Sequence, residues 1–223
     1  MARRRMRRVG PGKRGGTPWA KYAGYAGTAV KALSLATKVA SMVNAEKNHL
    51  DFSGSYTPST TAAIIPFGLM AEGTDVGQRI GRSIKLAGLS IRWLFNGSIT
   101  ATGNQNIRVM FLRDNWGTGN APAVTDVLVG QAIYAFRNVD TTAASRFSVL
   151  YDKVIIITDT DGDQSSKMLK LNFKLKNHVT YYGTTATQAN LGKGAIYAMI
   201  FTDTAANNAV ASILDSRMWY YDN

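Results

Sequence analysis

The sequence contains no cysteine and only two histidines, His49 and His178, among its 223 residues. The absence of cysteine excludes a disulfide framework, a thiolate nucleophile and every cysteine-ligated zinc site. Two histidines also exclude a three-histidine metal centre. The longest fully apolar runs, such as Val154 to Ile157, are a few residues long, whereas a membrane-spanning helix needs about 20. No membrane span is therefore predicted.

Acidic residues are scarce, and they are almost missing from one end of the chain. The chain has 26 Lys and Arg against 14 Asp and Glu, a formal net charge of +12. Residues 1–47 hold 11 basic residues and one acid, so 11 − 1 = +10 of that charge lies there and +2 lies in residues 48–223. A basic block at a terminus is typical of a solvated tail that binds nucleic acid or an anionic membrane. A secretory signal is not expected, because glycine and proline rather than an apolar stretch follow the arginines.

Composition and periodicity predict three segments. Residues 1–16 combine basic residues with glycines and have little to bury, which predicts a disordered, Arg-rich arm. Residues 17–51 are predicted to form a helical arm and junction, because apolar residues in 29–45 fall on one side of a helix. We expect this short amphipathic helix to pack on the body or on a neighbouring subunit rather than to disrupt a membrane, since its polar face carries only two lysines.

Residues 52–223 are predicted to be an all-β shell domain. Runs rich in Thr, Val, Ile, Tyr and Phe alternate with turn-forming residues, which favours a sandwich or jelly roll over a parallel α/β sheet. Within this region, helix is indicated only at 124–129. The candidate strands are 56–67, 83–95, 106–113, 148–158, 167–176, 179–182, 195–202 and 212–221.

Three of these strands carry further predictions. Within 83–95 the apolar positions change phase, which predicts a β-bulge at Gly88. Strict alternation in 167–176 places lysines on one face of the strand. This face is predicted to meet either water or a polyanion, and a solvated face is the preferred interpretation. Val154 to Ile157 lacks alternation and is predicted to be covered on both faces. The long connections 117–149 and 182–194 are expected to make subunit contacts.

The sequence contains no recognisable catalytic motif, so an enzyme is not predicted. His49 and His178 are each interpreted as structural. The acidic turn of Asp159, Asp161 and Asp163 could converge on Ca²⁺ between subunits, but Lys170 stands where an EF-hand requires Glu. A hairpin tip is the preferred interpretation of this turn, and no cofactor is predicted.

The basic arm is the strongest functional signal. Arginine and lysine side chains pair with phosphate independently of base sequence, and about seven such contacts predict a log–log salt slope near −5 on a single strand. Aromatic residues beside the arm either stack on bases or anchor the arm to the shell, and both interpretations stay open. The predicted nucleic-acid-binding residues are Arg3, Arg4, Arg5, Arg7, Arg8, Lys13, Arg14, Trp19, Lys21 and Tyr22.

The order of several short motifs resembles the capsid proteins of circular, Rep-encoding single-stranded DNA viruses, the group around the circoviruses. The arginine-rich start leads to Asn44-Ala45-Glu46-Lys47, and Ile65-Pro66 and the stretch from Gly77 to Leu86 follow. The runs 108–114, 150–153 and 183–187 with 195–197 fit the same pattern. Each motif is weak alone, and their order carries the resemblance.

The resemblance implies an eight-stranded viral jelly roll of two four-stranded antiparallel sheets. It further implies a closed icosahedral shell of about 60 identical subunits that packages single-stranded circular DNA, or non-specific RNA when the protein is expressed alone. The expected locations are the virion and, during assembly, the host nucleus. Import factors would bind Arg3, Arg4, Arg5, Arg7 and Arg8, and an unidentified host receptor would bind the outer surface.

Two alternatives belong to other classes. A cellular nucleic-acid-binding β-sandwich protein would share the basic tail, but it would normally carry basic patches on a body that here is nearly neutral. A carbohydrate-binding module or enzyme would need a cleft with convergent polar groups, which the sequence does not identify.

Overall fold

The structure, a computed structural model, describes Lys31 and residues 47–97, 104–139, 145–158, 165–203 and 211–222. The chain divides into two compact units, Met1–Asn44 and Ala45–Asn223, and all of the described residues except Lys31 belong to the second. The predicted arm 1–16 lies outside the described residues, and so does the predicted helix 29–45 apart from Lys31.

Nine strands form the described part of the second unit. In chain order they are β1 Lys47–Tyr56, β2 Ala63–Phe67, β3 Ser83–Asn96, β4 Gln105–Asp114, β5 Phe147–Ile157, β6 Ser166–Lys174, β7 His178–Thr180, β8 Ile196–Thr202 and β9 Ala211–Asp222. One short helix, α1, spans Val124–Val127, inside the segment where sequence indicated helix, and a single 3-10 turn spans Gln188–Asn190.

The strands form two antiparallel sheets in the order of a jelly roll. One sheet has the order β1-β9-β3-β6, with β7 pairing the first residues of β3. The other has the order β2-β8-β4-β5. The predicted fold class, an all-β jelly roll built on two four-stranded sheets, is therefore confirmed.

The first predicted strand, 56–67, was wrong in its bounds. Two strands occupy this region, β1 ending at Tyr56 and β2 beginning at Ala63, and the segment between them contains Pro58 and a turn in which the Ser59 hydroxyl bonds to Thr61. β1 also begins at Lys47, inside the segment assigned to the junction. Its Asn, His, Asp and Gly residues have low strand propensity. Pairing with β9 along all ten residues overrides that preference.

The predicted β-bulge is present in β3. The register with β9 shifts between Leu86 and Gly88, so Ala87 is the extra residue. Because successive side chains point to opposite faces, the shift keeps Leu86 before the bulge and Leu89 after it on the buried side. A long strand thus buries one face along its whole length.

Aromatic side chains fill the space between the two sheets. Phe111 of β4 lies opposite Trp93 and Phe173 of the other sheet, with ring centroids 6.3 and 5.3 Å away. Trp93 stacks on Phe95 of its own strand at 5.2 Å. Offset and edge-on arrangements at these distances contribute about 0.5–1.5 kcal/mol per pair beyond burial.

The prediction that Val154 to Ile157 is covered on both faces was wrong for the isolated subunit. Ile155 and Ile157 are buried, but Val154 and Ile156 are 44% and 50% exposed. β5 is an edge strand that pairs with β4. The strand buried at every position is β8, which lies between β2 and β4.

The connection between β4 and β5 folds over the outer side of its sheet. Val124, Val127 and Leu128 are buried in the main core. Farther along, the carbonyls of Ile133 and Ala135 accept hydrogen bonds from the Arg108 guanidinium of β4 at 3.1 and 2.6 Å. Residues 124–135 of this connection are therefore packed onto the domain.

Candidate functional site

The site residues predicted from sequence lie outside the described residues. This applies to all ten arm residues from Arg3 to Tyr22 and to Asp159, Asp161 and Asp163 of the acidic turn. Their roles in nucleic-acid binding and Ca²⁺ binding stay predictions. Among the described residues, no group of three or more His, Asp or Glu side chains is placed to hold a metal ion.

The solvent side of the five-stranded sheet, here called the basic face, carries most of the excess charge of the folded unit. Alternate residues of β1, β9, β3 and β6 point to this side and are mostly exposed. Its charged residues are Lys47, Lys85, Arg92, Lys170, Lys174 and Arg217, opposed by Asp51 and Asp215. The face thus carries 6 − 2 = +4. Residues 47–223 total 16 − 13 = +3, so the remainder is −1.

One cation of the basic face is already neutralised. Arg217 of β9 donates two hydrogen bonds to the carboxylate of Asp51 on β1, at 2.7 and 2.6 Å, and the two residues are register partners. The hydrogen bond from Arg217 lowers the pKa of Asp51, and the same bond raises the pKa of Arg217. This exposed pair stays ionised across the physiological range.

Two other cations face each other without such a partner. Arg92 of β3 and Lys170 of β6 are directly paired across the strands, and both are exposed. Asp215 is the register partner of Arg92 on its other side. Within the described ranges, no carboxylate oxygen lies within 4.0 Å of either cation. Like charges placed directly opposite on a sheet destabilise it.

A groove of about 420 Å³ runs along the basic face between these side chains. Arg92, Lys170, Arg217 and the half-buried Trp219 contribute to its lining. The register partner of Trp219 is Gly88, so the indole lies beside a position that carries no side chain. A Cβ atom there would lie 3.7 Å from Trp219 Cε3. The Lys47 ammonium lies 5.8 Å from the centroid of the Trp219 ring.

A second exposed surface lies on the other sheet and is here called the apolar patch. It consists of Tyr134 and Phe136 of the β4–β5 connection with Val154 and Ile156 of β5, and these side chains are 84%, 86%, 44% and 50% exposed. The first three border a common depression. Such a concentration of exposed apolar side chains typically marks an interaction surface.

Beneath the apolar patch, a buried ion-pair cluster holds the connection in place. Arg108 makes two hydrogen bonds of 2.9 Å to the Asp152 carboxylate, which also accepts one from Arg137 at 3.3 Å. Burial acts to raise the pKa of Asp152, but the bonds and charges of Arg108 and Arg137 prevail and lower it. The cluster positions the patch.

Neither histidine is part of a catalytic arrangement among the described residues. His49 is exposed on the basic face beside Trp219, and His178 is exposed at the first position of β7. The described part of the chain also has no helix long and apolar enough to cross a membrane.

The basic face was visible from sequence only in part. The alternating lysines of β6 were recognised, but Arg92, Arg217 and Trp219 were not. These residues also belong to an alternating pattern, because Ser90 and Arg92 in β3, like Arg217 and Trp219 in β9, are two positions apart and point to the same face. Only the order of the strands reveals that these alternate positions form one surface.

Comparison with known proteins identifies the family. Residues 28–221 match the family described as "Satellite tobacco necrosis virus coat protein". The chain is 29% identical to the capsid protein of Satellite tobacco necrosis virus 1 over 133 residues, 60% of this chain and 65% of that protein. It is 28% identical to the coat protein of Satellite tobacco necrosis virus 2 over 171 residues, 75% of this chain and 84% of that protein.

A further relative is the coat protein of Maize white line mosaic Satellite virus, 27% identical over 135 residues, which are 60% of this chain and 62% of that protein. The chain thus spans less than two thirds of the length of two of these three relatives. All three are capsid or coat proteins, which confirms that the chain is not an enzyme.

The comparisons also correct the resemblance drawn from short motifs. The class of protein, a viral capsid protein, was right, but the circovirus-like group was wrong, because both the family match and the relatives are those of satellite viruses. The alternative of a cellular nucleic-acid-binding protein is overturned by the same match. The chain belongs to the satellite tobacco necrosis virus coat protein family.

Proposed function

We propose that this coat protein assembles with identical copies into a small closed icosahedral shell, the virion, and packages single-stranded nucleic acid inside it. The match of residues 28–221 to a coat-protein family carries the proposal. We expect about 60 copies, the number that gives every identical subunit the same environment in an icosahedral shell.

The apolar patch supports the assembly part of the proposal. Burying a side chain of the size of Phe136 or Tyr134 contributes about 1.5–3 kcal/mol. An exposed group of such residues costs solubility in a monomer and stabilises an interface between copies. The position of Tyr134 and Phe136 in this connection supports the expectation that the loop makes subunit contacts.

The charge distribution supports the packaging part. Residues 1–46 carry 10 − 1 = +9 and precede the first strand of the jelly roll, so assembly of 60 arms would concentrate about 540 positive charges against the genome. We propose RNA rather than DNA as the packaged form, because the homologues are coat proteins of RNA satellite viruses, whereas DNA was inferred only from the circovirus-like resemblance that the family match overturns.

The prediction of nuclear import through Arg3 to Arg8 loses its main support for the same reason. It was inferred partly from the nuclear replication of circovirus-like viruses, and now only the charge of the run supports it. We therefore do not include the nucleus in the proposed function.

Purified protein tests the proposal in two steps. Electron microscopy and sedimentation should show uniform closed particles, and a monomer that is stable in both low and high salt would contradict assembly. Nucleic acid extracted from particles should be degraded by ribonuclease and resist deoxyribonuclease.

Deletion of residues 1–16 tests the role of the arm. These residues hold seven of the basic side chains and none of the described strands. We expect the truncated chain to form shells and to lose most of its packaged nucleic acid, measured by the ratio of absorbance at 260 and 280 nm. Truncated shells with the wild-type ratio would show that packaging does not depend on the arm.

A further inference from the structure

We infer that the basic face is a second nucleic-acid contact surface of this coat protein, distinct from the arm. Phosphate groups would bind between Arg92 and Lys170, and a base would stack on the half-buried Trp219 that lines the groove. The inference rests on the proposed packaging function and adds a site on the folded domain itself.

The pairing of Arg92 with Lys170 is the first argument. Directly opposite residues of an antiparallel pair have Cα atoms about 4.5–5.5 Å apart, so the two cations repel each other. Among the described residues, Asp215, the register partner of Arg92 on β9, forms no ion pair with it within 4.0 Å. The carboxylate of Asp51 is bound to Arg217. A phosphate between Arg92 and Lys170 would accept from both and remove the repulsion.

The layout of the face is the second argument. Lys174 lies four residues beyond Lys170 on β6, about 13 Å along the strand, so a polynucleotide running along β6 would pass both ammonium groups. Gly88 and Trp219 are register partners beside Lys174. An aromatic ring next to a row of cations is the arrangement that binds single strands without base specificity.

The charge of the face argues against the main competing occupant. Two copies meeting through this surface would bring faces of +4 together, which is unfavourable at any ordinary ionic strength. The charge is instead complementary to a polyanion. The arm is also covalently continuous with the face, because β1 begins at Lys47.

A double variant, Arg92→Gln with Lys170→Gln, tests the inference in the full-length chain. Both side chains are exposed, and glutamine removes the charge while staying polar, so the fold should be retained. The matched control is Arg82→Gln with Lys193→Gln, which likewise removes one exposed arginine and one exposed lysine elsewhere on the domain. Thermal unfolding without nucleic acid should show that the double variant melts no lower than the control.

The measurement is the binding of a fluorescently labelled 20-nucleotide oligouridylate to dissociated subunits between 50 and 300 mM salt. Loss of two phosphate contacts should make the log–log slope shallower by about 1.4, or about 0.7 per contact. The control should keep the wild-type slope. Equal slopes for the double variant and the control would overturn the inference.

Two further results would overturn the inference, each for a different reason. If the double variant keeps the control slope but no longer forms particles, the face is an interface between copies. If wild-type subunits bind the oligonucleotide with no salt dependence, the packaging function itself fails, and the inference fails with it.

Ultraviolet cross-linking of filled wild-type particles provides a check that needs no variant. Nucleotides cross-linked to residues 218–223, which include Trp219, would support the basic face as a contact surface. Cross-links confined to residues 1–46 would overturn it.

Discussion

Arg108 is a buried cation, and the groups around it explain why this position requires an arginine. Its guanidinium bonds to both carboxylate oxygens of Asp152 and to two carbonyls of the β4–β5 connection. A side chain with several fixed donors is needed here, because a lysine would leave some of these acceptors without a partner. The residue thereby fixes an exposed loop to a buried strand.

The Asp152 carboxylate predicts a dependence of stability on pH. The pKa of Asp152 is lowered in the folded state, so its contribution is present above the unfolded value of about 3.9 and is lost as pH falls through the lower folded value. We expect Asp152→Asn to destabilise the subunit by about 2–3 kcal/mol at pH 6. The difference from wild type should shrink below about pH 4.

Thermal unfolding of wild type and variant between pH 6 and pH 3 measures this effect. Asp75→Asn in the exposed loop before β3 is the control, since it removes the same charge away from the cluster. A loss of stability in Asp152→Asn that stays constant down to pH 3 would show that the cluster is held by packing rather than by charge.

At the scale of elements, the bulge in β3 absorbs one extra residue that would otherwise interrupt the alternation of a long strand. Deletion of Ala87 would bring Leu86, Gly88 and Leu89 into regular alternation opposite β9, so 83–86 and 88–96 would both keep their faces. Trp93 and Phe95 would therefore stay buried. We expect the deleted chain to fold and to lose about 1 kcal/mol of stability, because the Leu175 N–H loses the Ala87 carbonyl as its acceptor.

The yield of soluble protein and the near-ultraviolet circular dichroism measure this outcome. Deletion of Gly130 is the control, because it shortens an exposed loop with open space around the residue and changes no strand register. An insoluble Ala87 deletion beside a soluble Gly130 deletion would mean that the extra residue itself is required for the strand to form.

The elements also show where prediction from sequence succeeds. The bulge and the lysine face of β6 were predictable, because each leaves a pattern within a single strand. β1 was missed because its local propensity is poor and pairing with β9 stabilises it. Val154 and Ile156 were misassigned because β-branched residues on an exposed edge resemble those of a buried strand. The basic face could not be found without strand order.

At the scale of the whole molecule, the two exposed surfaces differ in chemistry and lie on different sheets. The basic face belongs to the sheet that begins with β1, where the arm joins the domain, and the apolar patch belongs to the sheet that contains β5. A jelly roll separates its two sheets by a packed core, so one surface can bind nucleic acid while the other binds a neighbouring copy.

Phe136 tests this division of roles. Its side chain is 86% exposed, so Phe136→Ser should change the stability of the subunit by no more than about 0.5 kcal/mol. If the apolar patch is buried between copies, each contact loses about 1.5–3 kcal/mol, which raises the protein concentration needed for assembly by roughly 10- to 100-fold.

Light scattering across a concentration series measures the assembly threshold, and thermal unfolding of dissociated subunits checks the fold. Val76→Ser is the control, because Val76 is 92% exposed in the loop before β3 and is separate from the patch. The control should assemble at the wild-type concentration and should keep the wild-type content of nucleic acid. Should Phe136→Ser also assemble at the wild-type concentration, the patch would lie outside the contacts between copies, and its exposure would require another partner.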